Sequence, residues 1–414
     1  MEFIREQIKE KPINKKRVVK RVALAALCGI VFALAVCIVL LLMAPFIKDA
    51  FADASTEETT SQITESSETE SEEESEQETT QSPDIVIPES SLDIKDYQEL
   101  QNQLYAIGNE VNHSIVTITG VTDSAEGTES TATSGQGSGV IVAEDNNYLY
   151  VMTEERIIQA ASKIQVTFID EAISDALVLK KDKRTGIVIL TVEKRQLDES
   201  TSEKIAVATL GTSYAVTKGT LVLALGSPLG MNYSVSTGNI TSINNEVMTI
   251  DHNYSIFTTD IAASEDGTGI LINTKGEIVG MVLHSLYADK EIKTLTAVAI
   301  SEVTAIIESL SSGKDMPYIG AYISTVTDKL AQEYDMPKGV FIKDIVMDSP
   351  AMLAGLQSGD IITHINGEEI NSDVIYTNKI AKLIPGTKCE IIVKRQNGDK
   401  YNEIKCEVEI GILQ

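Results

Sequence analysis

The chain has 414 residues, more than a single hydrophobic core usually serves, so two or more domains are expected. Its net charge is −27, from 61 acidic against 34 basic residues, and such a field repels phosphates and argues against nucleic acid as a partner. Four cysteines show no zinc-type spacing, and no metal or cofactor is expected.

The charge is unevenly spread. Residues 1–21 form a basic tail with eight Lys/Arg against three Glu. From Val22 to Ile47 the chain runs 26 residues without a charge, and about 20 apolar residues suffice to cross a bilayer as helix. A cleaved signal peptide is the competing reading, with Ala50-Phe51-Ala52 as its cleavage site. Its apolar region would be only about 7–15 residues long, so the length favours an uncleaved transmembrane signal anchor over 22–47. Lys15, Lys16, Arg17, Lys20 and Arg21 just before it place the N-terminus in the cytoplasm and residues 48–414 outside. Residues 48–90 form a linker, in which Asp53–Asp84 holds 14 Ser/Thr and 12 Asp/Glu. With almost nothing to bury, it is expected to be an extended acidic tether.

Residues 91–312 have a different character. Ser90 or Ser91 offers a helix N-cap, and Tyr97, Leu100, Leu104, Ile107 and Val111 then mark one helix face. Short β-branched runs follow, among them Ser114–Thr119, Gly139–Val142, Lys163–Phe168, Ile187–Val192 and Thr220–Leu225, separated by Gly-, Asn- and Asp-containing turns. That spacing predicts an all-β barrel or sandwich. Ile300–Ser309 predicts a short closing helix, and after Ser311-Ser312-Gly313 a smaller α/β unit occupies 313–414.

Six stretches of this middle region carry a resemblance. Gly137–Val142 (GSGVIV), Tyr148–Ile158 (YLYVMTEERII) and Gly219–Gly230 (GTLVLALGSPLG) are followed by Gly238–Ser242, Thr259–Ala263 and Gly276–Gly280. In order and spacing they resemble the HtrA/DegP branch of trypsin-fold serine proteases. The resemblance implies two six-stranded antiparallel barrels with a Ser-His-Asp triad in the cleft between them. Carried over residue by residue, the family's His falls on Arg156, its Asp on Gly186 and its Ser on Gly267, or on Thr268 if the gap is moved. A guanidinium cannot serve as a base near neutral pH, and Glu265-Asp266-Gly267 replaces the stretch that would supply the oxyanion hole. His113, His252, His284 and His364 stand at no matching position.

Residues 317–412 resemble the PDZ domain that follows the protease domain in this family. The motifs are Tyr318-Ile319-Gly320-Ala321, Ser349-Pro350-Ala351, Ala354–Ile362 (AGLQSGDII) and Ile365-Asn366-Gly367. A PDZ domain captures an extended C-terminal peptide as an added strand. The resemblance assigns the terminal carboxylate to the backbone of Tyr318, Ile319, Gly320 and Ala321, pairing to strand Ala321–Thr325 including Ile323, and the opposite wall to helix Asp373–Leu383. The bland alternative is that Ile319 and Gly320 only close a strand.

Asn397-Gly398 is a strong hairpin signal. A type I′ turn centred there sets Cys389 opposite Cys406 with Cα atoms about 4.5 Å apart, a disulfide candidate; two reduced cysteines are the alternative. The whole chain is thus expected to be mostly β: a trypsin-like double barrel, then a PDZ domain, behind one transmembrane helix and a disordered stalk. The resemblance implies a catalytically inactive binder of peptides or of unfolded envelope proteins. The alternatives are a working endopeptidase in extracytoplasmic quality control, and a homotrimer or an assembly with an active homologue.

Overall fold

A computed structural model describes residues 93–122, 132–286, 293–398 and 400–413. The anchor and tether expected over 22–90 lie outside these residues. Among the described residues, no helix is long and apolar enough to cross a membrane.

Helix α1 (Ile94–Val111) opens on Asp93, not on Ser90 or Ser91. The Asp93 carboxylate accepts from the Ile94 amide while Asp96 accepts from the Asp93 amide, a reciprocal cap that satisfies two orphan donors. Only the C-terminal part of the predicted apolar stripe is covered: Leu104 is buried, whereas Tyr97 and Leu100 are exposed, as is Ile94 before them.

Strands β1 (Ile115–Thr122), β2 (Ala132–Glu144), β3 (Tyr148–Glu154), β4 (Lys163–Thr167), β5 (Ile173–Asp182) and β6 (Ile187–Glu193) follow, with helix α2 (Glu155–Ile158) between β3 and β4. They close into a barrel in the order β1-β2-β3-β6-β5-β4. A second barrel is built from β7 (Leu221–Ser227), β8 (Ser234–Thr249), β9 (His252–Ala262), β10 (Thr268–Ile272), β11 (Ile278–Val282) and β12 (Thr294–Ala299). Its order is β10-β11-β12-β9-β8-β7. Closure leaves no edge strand exposed. These are the two six-stranded antiparallel barrels that the motifs imply.

Alternation along each strand explains why runs such as Ile187–Leu190 are apolar throughout. Val188 and Leu190 fill the first barrel with Val116, Ile118 and Val151. Ile187 and Ile189 face the other way, into a core shared with Leu223, Leu225 and Ile270 of the second barrel. Helix α3 (Ile300–Ser311) seals that shared core with Val303, Ile307 and Leu310. Successive side chains point to opposite faces, so a strand buried on both needs apolar residues at every position.

The PDZ unit carries β13 (Pro317–Tyr318), β14 (Ala321–Thr325), α4 (Asp328–Tyr334), β15 (Val340–Ile345), α5 (Pro350–Leu353), β16 (Ile361–Ile365), β17 (Glu368–Glu369), α6 (Asp373–Ile380), β18 (Lys388–Asn397), β19 (Lys400–Glu409) and β20 (Gly411–Ile412). The sheet order is β14-β15-β16-β18-β19, and β13 pairs with β20. The wall helix ends at Ile380 rather than Leu383. Asp360, of the GDII motif, is fully buried and held by a bidentate pair from Arg395 at 2.6 and 2.8 Å.

The expected disulfide is corrected. Asn397 pairs with Lys400, so Cys389 stands opposite Val408 and Cys406 opposite Ile391. Both thiols are free and buried. The turn lies one residue further along than the Asn-Gly signal places it, which moves every cross-strand pair by two and leaves the cysteines diagonal to one another.

Candidate functional site

Two places gather the residues singled out from the motifs. The first is the cleft between the barrels. Strand β3 ends in buried Glu154 and passes directly into α2, which carries Arg156. The Arg156 guanidinium donates to Glu154 Oε2 at 2.8 Å, to the Asp266 carbonyl at 3.2 Å and to the Gly267 carbonyl at 3.4 Å. The Glu155 amide donates to the Gly186 carbonyl at 2.8 Å. Arg156, Gly186 and Gly267 therefore converge, although they stand far apart in the chain.

Their surroundings are tightly packed. Gly186 has φ of +72°, a left-handed conformation in which an added Cβ would lie 2.9 Å from Ser285 Oγ. The nearby carboxylate, Asp182, turns instead to Arg184 at 2.9 Å and to the Thr185 hydroxyl at 2.9 Å. A Cβ on Gly267 would lie 2.4 Å from the Pro228 carbonyl oxygen. The Gly267 amide already donates to the Ser264 carbonyl at 3.0 Å, so it is not aimed at a substrate oxygen.

Thr268, the other position to which the resemblance can assign the serine, is buried. Its hydroxyl accepts from the Ser138 amide at 2.7 Å and lies 2.7 Å from Ser227 Oγ and 2.9 Å from Ser138 Oγ. These partners are hydroxyls and an amide, none of them a general base. His284 does enter the cleft, with Nδ1 3.4 Å from the Arg156 guanidinium and 3.8 Å from Glu154 Oε2. Its amide donates to Glu154 Oε1 at 2.5 Å. Neither Glu154 nor His284 stands out in the motifs: Glu154 lies inside Tyr148–Ile158 but at no triad position that the resemblance assigns, and His284 lies beyond Gly276–Gly280. The other histidines lie elsewhere: His113 on the Lys204 carbonyl, His252 stacked on Tyr254, and His364 beside Thr363.

The second place is the PDZ loop. Ile319, Gly320 and Ala321 direct their amides at one point, as the motif implies, and that point holds a carboxylate. It is the side chain of Asp251, from the turn between β8 and β9. Asp251 accepts from Ile319 at 2.8 Å, from Gly320 at 2.9 Å and from Ala321 at 2.9 Å. Gly320 has φ of +94°, and a Cβ there would meet Ser349 at 2.3 Å, so this loop geometry requires glycine. Tyr318 is placed differently from the expectation: it sits in β13 opposite Gly411. Ile323 buries its side chain in the PDZ core and presents its carbonyl to Asn253 Nδ2 at 3.3 Å. Tyr376, on α6, donates its hydroxyl to Asp251 Oδ1 at 3.0 Å, and burial first, then Asp251, raise that phenol well above its usual pKa.

Residues 137–281 match a trypsin-like peptidase domain, and residues 317–408 match a PDZ domain. A probable periplasmic serine endoprotease DegP-like of Halomonas elongata is 28% identical over 272 residues, which are 64% of this chain and 55% of that protein. The Serine protease Do-like HtrA of Bacillus subtilis is 28% identical over 309 residues, 69% of this chain and 65% of its own length. The chain thus spans less than two thirds of these relatives. The solved structure of the HtrA-type protease AlgW with decapeptide shares the fold, with a TM-score of 0.56 at 19% identity over 75% of this chain and 99% of that one.

Proposed function

From the membership of this chain in the DegP/HtrA family, with a trypsin-like peptidase domain followed by a PDZ domain, we propose that it is a peptide-binding pseudoprotease. Residues 22–47 anchor it in a membrane, with the folded domains outside. The observation that carries this reading is the occupied cleft. Arg156 spans the space to the Asp266 and Gly267 carbonyls, the Gly267 amide is committed to Ser264, and the Thr268 hydroxyl is sealed among Ser138 and Ser227. Acyl transfer needs a nucleophile with a base in reach and donors aimed at the developing oxyanion; among the described residues the Thr268 hydroxyl meets hydroxyls and an amide, and the Gly267 amide is turned to Ser264. The PDZ match and the three convergent amides of Ile319–Ala321 support a C-terminal peptide as ligand. The exposed apolar residues Ile94, Tyr97 and Leu100 of α1 support a homotrimer or an assembly with an active homologue.

The test is turnover of fluorogenic casein by the purified chain, expected to match a buffer blank. Loss of a Ser-His-Asp unit typically removes on the order of 10⁶ in kcat, about 8 kcal/mol of transition-state stabilisation. A second reading, a working endopeptidase, is favoured by the relatives named as serine endoproteases. It requires turnover that vanishes in Thr268→Ala, and that result would overturn the first reading.

A further inference from the structure

We propose that the PDZ loop is closed in cis: Asp251 occupies the place of a ligand's terminal carboxylate, and a peptide enters only by displacing it. The inference rests on the peptide-binding reading above and specifies how that site is regulated.

The imitation of a bound peptide extends beyond the carboxylate. Asp251 takes all three loop amides, as a chain terminus would. Its own amide donates to the Ala321 carbonyl at 2.7 Å, the main-chain bond that the last residue of an added strand makes. The preceding residue, Ile250, pairs antiparallel with Tyr322 of β14. The Ile323 carbonyl is taken by Asn253. From the opposite wall, the Tyr376 hydroxyl reaches Asp251 and Asp373 receives Asn253 at 3.0 Å.

The hairpin is shaped for this position. Asp251 has φ of +59°, a left-handed conformation that Asp tolerates better than most side chains. The chain therefore turns away directly after the carboxylate, leaving the loop as a peptide does where it ends. Asp251 is 1% exposed and takes all three loop amides, so a second carboxylate finds no free amide of Ile319–Ala321 while Asp251 is in place. Two carboxylates on three amides would also repel one another in a site shut off from water. Occupation is thus exclusive, and the partner that displaces Asp251 must bring its own carboxylate and a strand to replace Ile250.

The experiment uses the full chain, its Asp251→Ala and Asp251→Asn variants, and a fluorescein-labelled decapeptide ending in valine, as free acid and as amide. Asp251→Asn keeps the side-chain shape, so it stays informative if the alanine variant fails to fold. Anisotropy is expected to show the acid binding each folded variant at least about 10-fold more tightly than the unsubstituted chain. Hydrogen exchange at the amides of 319–321 is expected to speed up in the same variants. Equal acid affinity in all three proteins overturns the cis closure and leaves peptide binding standing. Faster exchange with no peptide bound by any of them supports the closure and removes the peptide reading. Unchanged exchange with no binding overturns both.

Discussion

A single β-carbon at Gly267 would stand 2.4 Å from the Pro228 carbonyl oxygen, well inside any van der Waals contact. The position that the resemblance assigns to the serine, if it is Gly267 rather than Thr268, therefore has no room for a side chain. Gly186 is restricted twice, by its left-handed backbone and by Ser285 against its face. Placing His, Asp and Ser where the resemblance assigns them, with Arg156→His, Gly186→Asp and Gly267→Ser together, is therefore expected to yield no casein turnover. It should also lower stability by about 3 kcal/mol or more in urea unfolding, since overpacking typically costs about 1–3 kcal/mol per site. Turnover in that variant would mean that the cleft retains a usable oxyanion site. Arg395→Ala belongs to the same scale. It leaves the fully buried Asp360 carboxylate without its bidentate partner, and a loss of about 3–5 kcal/mol is expected from chemical denaturation.

Among the secondary elements, the β18–β19 hairpin shows how a one-residue shift of a turn changes chemistry. With Asn397 opposite Lys400, the two cysteines are diagonal and both are buried as thiols. Burial pushes Cys389 up to about 11 and raises Cys406 as well. Iodoacetamide at pH 8 is expected to leave both unlabelled in folded protein and to modify both in denaturant. At that pH only about one Cys389 thiol in a thousand is ionised, and burial both raises Cys406 and shields it from the reagent. Mass spectrometry of the alkylated chain reads the result directly, and a mass 2 Da low without free thiols would restore the disulfide. The sign of the linked stability follows. An unfolded thiol ionises near 8.5, so between that pH and about 11 the folded state holds more protons than the unfolded one. The contribution is whole below pH 8.5 and fades as pH rises through that window.

Across the whole molecule, the two barrels present a filled cleft, and the second barrel reaches over to the PDZ loop through its β8–β9 turn. The proposed anchor gives a topological expectation. Protease added to intact cells should cut within Ser55–Gln81 and release a soluble fragment carrying the peptidase and PDZ domains. Immunoblotting of the medium with antibody to the PDZ domain checks it. Retention of the full-length chain until lysis would reverse the orientation inferred from Lys15–Arg21.

How much of this was legible in the chain depends on the distance over which each feature is determined. Double barrel and PDZ unit were both readable, because alternation, glycine turns and motifs such as SPAMLAGLQSGDIITHING act over a few residues at a time. The same locality let the resemblance assign Arg156, Gly186 and Gly267 or Thr268 to the triad positions, since each stands in or beside a recognisable stretch. The hairpin register was missed because a two-residue turn can be placed one step along without violating any local preference, and only the pairing of whole strands decides it. Asp251 was invisible for a stronger reason. Its partners lie 68 to 125 residues away, and a lone Asp between two strands carries the ordinary signature of a turn. The resemblance carried by Tyr318–Ala321 implied a loop whose amides gather around a carboxylate; only the packing of the PDZ unit against the second barrel decided that the carboxylate is the protein's own.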